Sequence, residues 1–199
     1  MTREERREKW ENYWYHYKWH TILAIFVTVC ALYTVFDYTT RQSSDFDLTY
    51  IGDYMNYEGL SEALVANYPD IITDANGDGK IKVEVNAIYT SENIAYDSDL
   101  NFWQRIDIDL VNGESYIYLV DEHLLDAFIK RGANGVIKTA DGYVNHIDVS
   151  ENKFLKEFLP KDRKVFMCVR KYFADGADEK TNLLEERSLK LIEKILENN

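Results

Sequence analysis

The hydrophobic pattern divides the chain in two. Trp19 to Phe36, WHTILAIFVTVCALYTVF, is a long uncharged run bounded by Lys18 and Asp37. At about 1.5 Å per residue it spans roughly 27 Å as a helix, close to the hydrocarbon thickness of a bilayer. It is apolar all round instead of along one stripe, as a lipid-embedded helix is. Beyond it the pattern switches between periods of two and of three to four. Phe46 to Ile51 alternates and predicts a strand. Residues 58–68 place Leu60, Ala63, Leu64 and Tyr68 on one helical face, with Pro69 as a stop. Ile81, Val83, Val85 and Ala87 alternate with Lys82, Glu84 and Asn86, a strand polar on one face and therefore suited to a sheet edge. Leu100, Trp103, Ile106 and Leu110 predict a helix ending at Asn112-Gly113, and Tyr116 to Val120 a buried strand. Asp121 is placed to cap a helix with Leu124, Leu125 and Phe128 on its inner face, stopped at Gly132. Short strands around Asp141-Gly142, a helix near 150–158, a strand from Lys164 to Phe173 and a helix over 183–197 complete the pattern. This order predicts an α/β fold with a mostly parallel sheet, flanking helices and right-handed crossovers, preceded by a single transmembrane helix.

A cleaved signal peptide combines an apolar run of about 7–15 residues with a small-residue cleavage site. Here the run leads into Tyr33-Thr34-Val35-Phe36-Asp37-Tyr38, which is too bulky, so an uncleaved anchor is expected. Cys30 follows Val29, too large for the residue before a lipidated cysteine, and reads as a small lipid-facing residue. Arg3, Arg6, Arg7, Lys9 and Lys18 precede the run and only Arg41 follows closely. The positive-inside bias therefore places the N-terminus in the cytoplasm. Trp10, Tyr13, Trp14, Tyr15, Tyr17 and Trp19 suit the cytoplasmic headgroup layer. The expected layout is a cytoplasmic tail (1–18), a transmembrane helix (19–38), a linker (39–45) and an extracytoplasmic domain (46–199).

Charge narrows the outer domain. The first 38 residues hold five of the 23 Lys+Arg and five of the 35 Asp+Glu, so the net charge of −12 belongs to the remainder. Such acidity repels phosphate backbones and anionic membrane surfaces, which excludes nucleic acid as the expected partner. Cys168 is the outer domain's single cysteine, so no disulfide forms within it. His16, His20, His123 and His146 have no metal-ligand spacing, and no nucleophile-elbow, zinc-protease or phosphate-loop motif is present.

The sharpest motif is Asp74-Ala75-Asn76-Gly77-Asp78-Gly79-Lys80-Ile81. Asp74, Asn76 and Asp78 stand at positions 1, 3 and 5 of a calcium loop, Gly79 at 6, and the Lys80 carbonyl at 7. Alternate residues of so tight a loop converge oxygens on one hard cation, making Ca2+ the expected ion. Position 12 is Val85 and position 9 is Lys82, neither of which supplies a side-chain oxygen. The same glycines also suit a metal-free turn into a strand. The motif resembles the calcium loop of periplasmic galactose-binding proteins, where a loop of this kind precedes a strand.

A wider resemblance covers residues 45–140. The strand Asp47-Leu48-Thr49-Tyr50-Ile51, the strand Lys82-Val83-Glu84-Val85, the helix ending Asn112-Gly113-Glu114-Ser115, the strand Tyr116-Ile117-Tyr118-Leu119-Val120-Asp121 and the helix end Phe128-Ile129-Lys130-Arg131-Gly132-Ala133 resemble the first lobe of extracellular solute-binding proteins. The block Tyr15-His16-Tyr17-Lys18-Trp19-His20-Thr21-Ile22 resembles membrane proteins of low-GC Gram-positive bacteria. The resemblance implies ligand contacts from the loops after the first and third strands, at Asp53, Tyr54, Asp121 and Glu122. Solute-binding proteins close two lobes on a ligand, whereas residues 46–199 amount to one. The expectation is therefore a tethered binding or scaffold module acting with a membrane or envelope partner. An envelope enzyme is the alternative, which a cleft of converging carboxylates would favour.

Overall fold

The computed structural model describes residues 3–40, 44–57, 59–90, 100–112, 115–133, 135–139, 142–170 and 179–197. The chain divides into two compact units, Met1–Ser43 and Ser44–Asn199.

The first unit is one helix, α1 (Arg3–Thr40). Its 38 residues extend roughly 57 Å, so the expected tail continues the helix of the apolar run. It is long and apolar enough to cross a membrane, as a single span or a signal anchor. The hydroxyls of Thr21, Thr28 and Thr34 donate to the carbonyls of Tyr17, Ala24 and Cys30 at 3.0, 2.8 and 2.9 Å. These polar groups are thus satisfied within the helix, as a hydrocarbon surrounding demands. Trp10, Tyr13, Trp14 and Tyr17 stack along one side at three- and four-residue spacing.

The second unit is built on a five-stranded sheet. Its strands are β1 (Phe46–Gly52), β2 (Val83–Tyr89), β3 (Ile117–Asp121), β6 (His146–Asp148) and β7 (Val165–Val169), in the order β2-β1-β3-β7-β6. A separate hairpin pairs β4 (Ile137–Thr139) with β5 (Gly142–Val144). β1 is parallel to both β2 and β3, whereas β7 is antiparallel to β3 and to β6. The expected mostly parallel sheet is therefore a mixed one. The cause is topological. The chain from β3 through α4 (Glu122–Lys130) reaches β6, which runs in the β3 direction one position further out. The chain then returns through the gap as β7, and a strand entering from the opposite end is antiparallel to both neighbours.

Packing on the two faces follows the strand alternation. Phe46, Leu48 and Tyr50 of β1 with Ile117 and Leu119 of β3 meet α2 (Leu60–Asn67) and α5 (Glu179–Glu197). Ile51, Tyr118 and Val120 meet α3 (Leu100–Asn112) and α4. β3 is buried throughout, as a central strand covered on both faces should be. β2 takes the edge, where its polar face meets water.

Two local expectations change. The segment near 150–158 forms only a single 3-10 turn, Leu155–Glu157. Buried Asn152 accepts from the Phe154 and Leu155 amides at 3.1 Å and donates to the Ile195 carbonyl at 2.9 Å. A side chain that takes over backbone partners in this way competes with helix formation. The strand expected to reach Phe173 ends at Val169; Gly113, Asp141 and residues 171–178 lie outside the described residues.

Candidate functional site

The adjacent parallel strands β1 and β3 send their chains to opposite faces. β1 leads to α2, whose Leu60 and Leu64 join one core, and β3 leads to α4, whose Leu124, Leu125 and Phe128 join the other. In open α/β sheets, loops that diverge this way generally flank a crevice at the carboxyl ends of the strands, where ligands bind.

Register fills that crevice with charge. Ile51 pairs with Val120, which sets Gly52 beside Asp121, and Asp121 pairs with Val165, which carries Arg163 just past the end of β3. A Cβ at Gly52 would overlap the Tyr50 hydroxyl and the Asp121 carboxylate, so only glycine fits between them. The Asp121 side chain is 0 % exposed. Tyr50 donates its hydroxyl to Asp121 Oδ1 at 2.8 Å, and the Asp53 amide donates to Asp121 Oδ2 at 3.1 Å. Arg163 Nη1 donates to Asp53 Oδ2 and lies 3.6 Å from Asp121 Oδ2. Its Nη2 donates to Asp162 at 2.9 Å. His123 Nε2 stands 3.9 Å from Asp53 Oδ1. Tyr54 contributes its carbonyl, 3.1 Å from the Tyr50 hydroxyl, and leaves its ring exposed, as are those of Tyr57 and Tyr89.

Burial dominates the electrostatics. It pushes the Asp121 carboxyl above the usual aspartate range against the opposing pull of Tyr50, the Asp53 amide, Arg163 and His123. Burial, then the neighbouring Asp121 charge, raises the Tyr50 phenol and keeps it protonated. The Asp162 hydrogen bond, followed by Asp53 and Asp121, raises the Arg163 guanidinium further. Asp53, Asp121 and His123 bring one ligand atom each within 4.8 Å of one another, a set that could hold a metal ion. Arg163 already sits against both carboxylates, so an ion there would have to displace a guanidinium.

Asp53 and Asp121, anticipated on separate loops, therefore meet. Glu122 does not join them: its side chain is exposed and its amide donates to the Lys164 carbonyl at 3.0 Å. Asp121 occupies the helix N-cap position but makes no capping hydrogen bond, because its oxygens serve Tyr50, Asp53 and Arg163 instead. Tyr50, His123 and Arg163 are the members that sequence reasoning missed. Tyr50 counts as an ordinary strand residue by periodicity, and nothing local distinguishes Arg163 from its neighbours Asp162 and Lys164.

At the other end of β1 lies the Asp74–Lys80 loop. Asp74 Oδ1 accepts from the Gly77 and Asp78 amides at 2.6 and 3.3 Å, and Oδ2 from Gly79 at 2.8 Å. Asn76 Oδ1 accepts from Asp78 at 2.9 Å, and Asp78 Oδ1 from Lys80 at 2.8 Å. Gly77 and Gly79 both have positive φ, 75° and 80°. The amide bonds, that of Gly79 foremost, hold Asp74 below its ordinary range. Lys82, at position 9, pairs its ammonium with Glu84 at 3.1 Å, and Val85, at position 12, is half-buried in β2. Buried Asp45 fastens the loop from outside: it accepts from Ala75, Asn76 and Lys82 at 2.8, 3.2 and 2.8 Å. The residue expected to close the linker is thus a fixed part of the second unit.

A surface cavity of about 630 Å³ lies elsewhere, between α2, the 3-10 turn and the end of α5, lined by Tyr68, Phe154, Phe158 and Glu197 among others. It contains none of the perturbed groups described above, so the β1–β3 crevice is the better-founded site. No protein-family model, curated protein or solved structure matches the chain.

Proposed function

We propose that the chain is a membrane-anchored extracytoplasmic binding module that holds a ligand over the carboxyl ends of β1 and β3. The observation that carries this reading is the convergence of Asp53, Asp121 and Arg163 where the chain diverges to the two faces of the sheet. Asp121 and Arg163 set the floor, Asp53 and Tyr54 face the ligand, and Glu122 with His123 forms the rim. The excess of basic residues before the apolar run supports a cytoplasmic N-terminus. Anchoring raises the effective concentration of the module near a membrane or envelope partner. Asp74, Asn76, Asp78 and the Lys80 carbonyl offer Ca2+ four ligand groups, so a bound ion would complete its shell with water.

The enzyme reading gains two observations, the convergence of the Asp53 and Asp121 carboxylates beside His123 and the raised pKa of the buried Asp121 carboxyl. Against it, Asp121 is enclosed with both oxygens occupied and has no route to a substrate atom.

The test is heteronuclear NMR of the full chain in micelles against a panel of amino acids, dipeptides, polyamines and sugars. Saturable shifts confined to Gly52–Tyr57, Tyr89 and Asp121–His123 are expected. Shifts scattered over the surface, or none at these amides across the panel, would overturn the reading.

A further inference from the structure

We propose that the β1–β3 crevice takes a small organic cation, an amine or guanidinium carried on an apolar body. This rests on the binding-module reading and adds the chemistry of the ligand. Asp53 is the anchor. Its Oδ2 receives Arg163, while Oδ1 is enclosed by protein and has no hydrogen-bond donor among the described residues. An acceptor shut away from water without a donor is unfavourable, and a ligand N–H supplies the missing partner. The His123 imidazole, 44 % exposed, stands 3.9 Å from Oδ1 and makes no hydrogen bond of its own among the described residues. In the proposed complex the ligand takes the place beside Oδ1 that this imidazole holds.

The sign of the ligand follows from the surrounding charges. The carboxylates of Asp53, Asp121 and Asp162 surround the guanidinium of Arg163, so among the described residues an anion meets more negative than positive charge. A bare divalent ion competes with Arg163 for the same two carboxylates, whereas an organic cation adds at Oδ1 and leaves Arg163 in place. The apolar body has a matching wall. Tyr54, Tyr57 and Tyr89 are exposed at the ends of β1 and β2, and Tyr89 stacks edge-on to Tyr50 with ring centroids 6.4 Å apart. Burial, then Tyr57 and Tyr54, raises the Tyr89 phenol. Phenol faces cover apolar groups and attract cations.

The probe is benzylamine, with benzyl alcohol and benzoate as its neutral and anionic counterparts, titrated into the labelled full chain in zwitterionic micelles. Benzylamine is expected to shift the Asp53, Tyr54 and His123 amides saturably, roughly tenfold more tightly than benzyl alcohol, with benzoate silent. Asp53→Asn should abolish saturation. Tyr54→Ala, on an exposed ring that leaves the fold intact, should weaken it severalfold. Equal affinity for amine and alcohol, or an unaltered response in both variants, overturns the proposal. Saturation of the same amides by benzyl alcohol or benzoate alone removes the cation and leaves the binding crevice standing. A flat response to all three overturns the cation, and together with a flat panel it takes the binding reading too.

Discussion

Two acid-rich corners occupy opposite ends of β1 and use their carboxylates in opposite ways. At the entry to the strand, Asp45 and Asp74 receive backbone amides, at least three each. Donors aimed at an ionised carboxylate lower its pKa, as they do for Asp74. At the exit, Asp121 also has three partners, yet its pKa rises, because complete burial outweighs them. The same residue type is thus a stabilising tie in one corner and a costly group in the other. Costly titratable groups that a fold retains concentrate at functional sites, which is why the exit corner and not the more conspicuous loop carries the proposed site.

The largest expected effect that tests this contrast is Asp121→Ala. It strands the Asp53 amide and part of the Arg163 charge in a buried space and leaves the Tyr50 hydroxyl only the Tyr54 carbonyl, and breaking a buried pair of this kind costs about 3–5 kcal/mol. Urea unfolding measures it. A loss below about 1 kcal/mol would mean that Arg163 re-pairs elsewhere and that the exit corner is not a fixed network. Gly52→Ala should follow at about 1–3 kcal/mol, because the added methyl overlaps Tyr50 and Asp121 together. Asp45→Ala should cost about 1–2 kcal/mol, since the amides of Ala75, Asn76 and Lys82 lose an acceptor but keep some access to water. Equal losses for Asp121→Ala and Asp45→Ala would erase the distinction between the corners.

The two corners were unequally legible in the sequence. The entry loop is written in consecutive residues, and Asp74, Asn76, Asp78 and the two glycines state its turn directly. The exit corner is assembled from three places, Tyr50 to Asp53, Asp121 to His123, and Arg163, which only register brings together. The strands and the helix faces were legible because burial imposes period on them: Phe46-Leu48-Tyr50, Ile117-Leu119 and Leu124-Leu125-Phe128 all point where their spacing places them. Strand direction was not. β7 has the same apolar run whether it is parallel or antiparallel to β3, and the difference lies in the route through β6. The Asp121 cap failed for a related reason: a local rule assigned a carboxylate that tertiary partners claimed first.

Calcium sharpens the comparison with a smaller effect. If the Asp74–Lys80 loop binds, calcium at a concentration equal to its dissociation constant stabilises the full chain by about 0.4 kcal/mol, and more above it. A thermal melt with millimolar calcium and then a chelator should show a small reversible shift that Asp78→Ala removes. No shift, with Asp78→Ala also silent, leaves the loop as a turn and confines charge-dependent binding to the exit corner.

The smallest effect is the most diagnostic, because the two corners differ in sign. An unfolded aspartate titrates near about 3.9. The folded value for Asp121 lies above this, so between the two values the native state binds more protons and stability falls as pH rises. The folded value for Asp74 lies below it, so the unfolded state binds more protons there and stability is lost as pH drops through that lower window. Asp121→Asn should therefore remove a falling component above about pH 4, and Asp74→Asn a rising component below it. Water reaches the Asp74 loop and screens its share, so the Asp121 component should be the larger of the two. Urea unfolding at pH steps from about 3 to 7, on the full chain and both variants, resolves them. If both substitutions alter the profile in the same direction, burial does not govern the exit corner, and Asp121 is a second stabilising tie instead of the floor of a site.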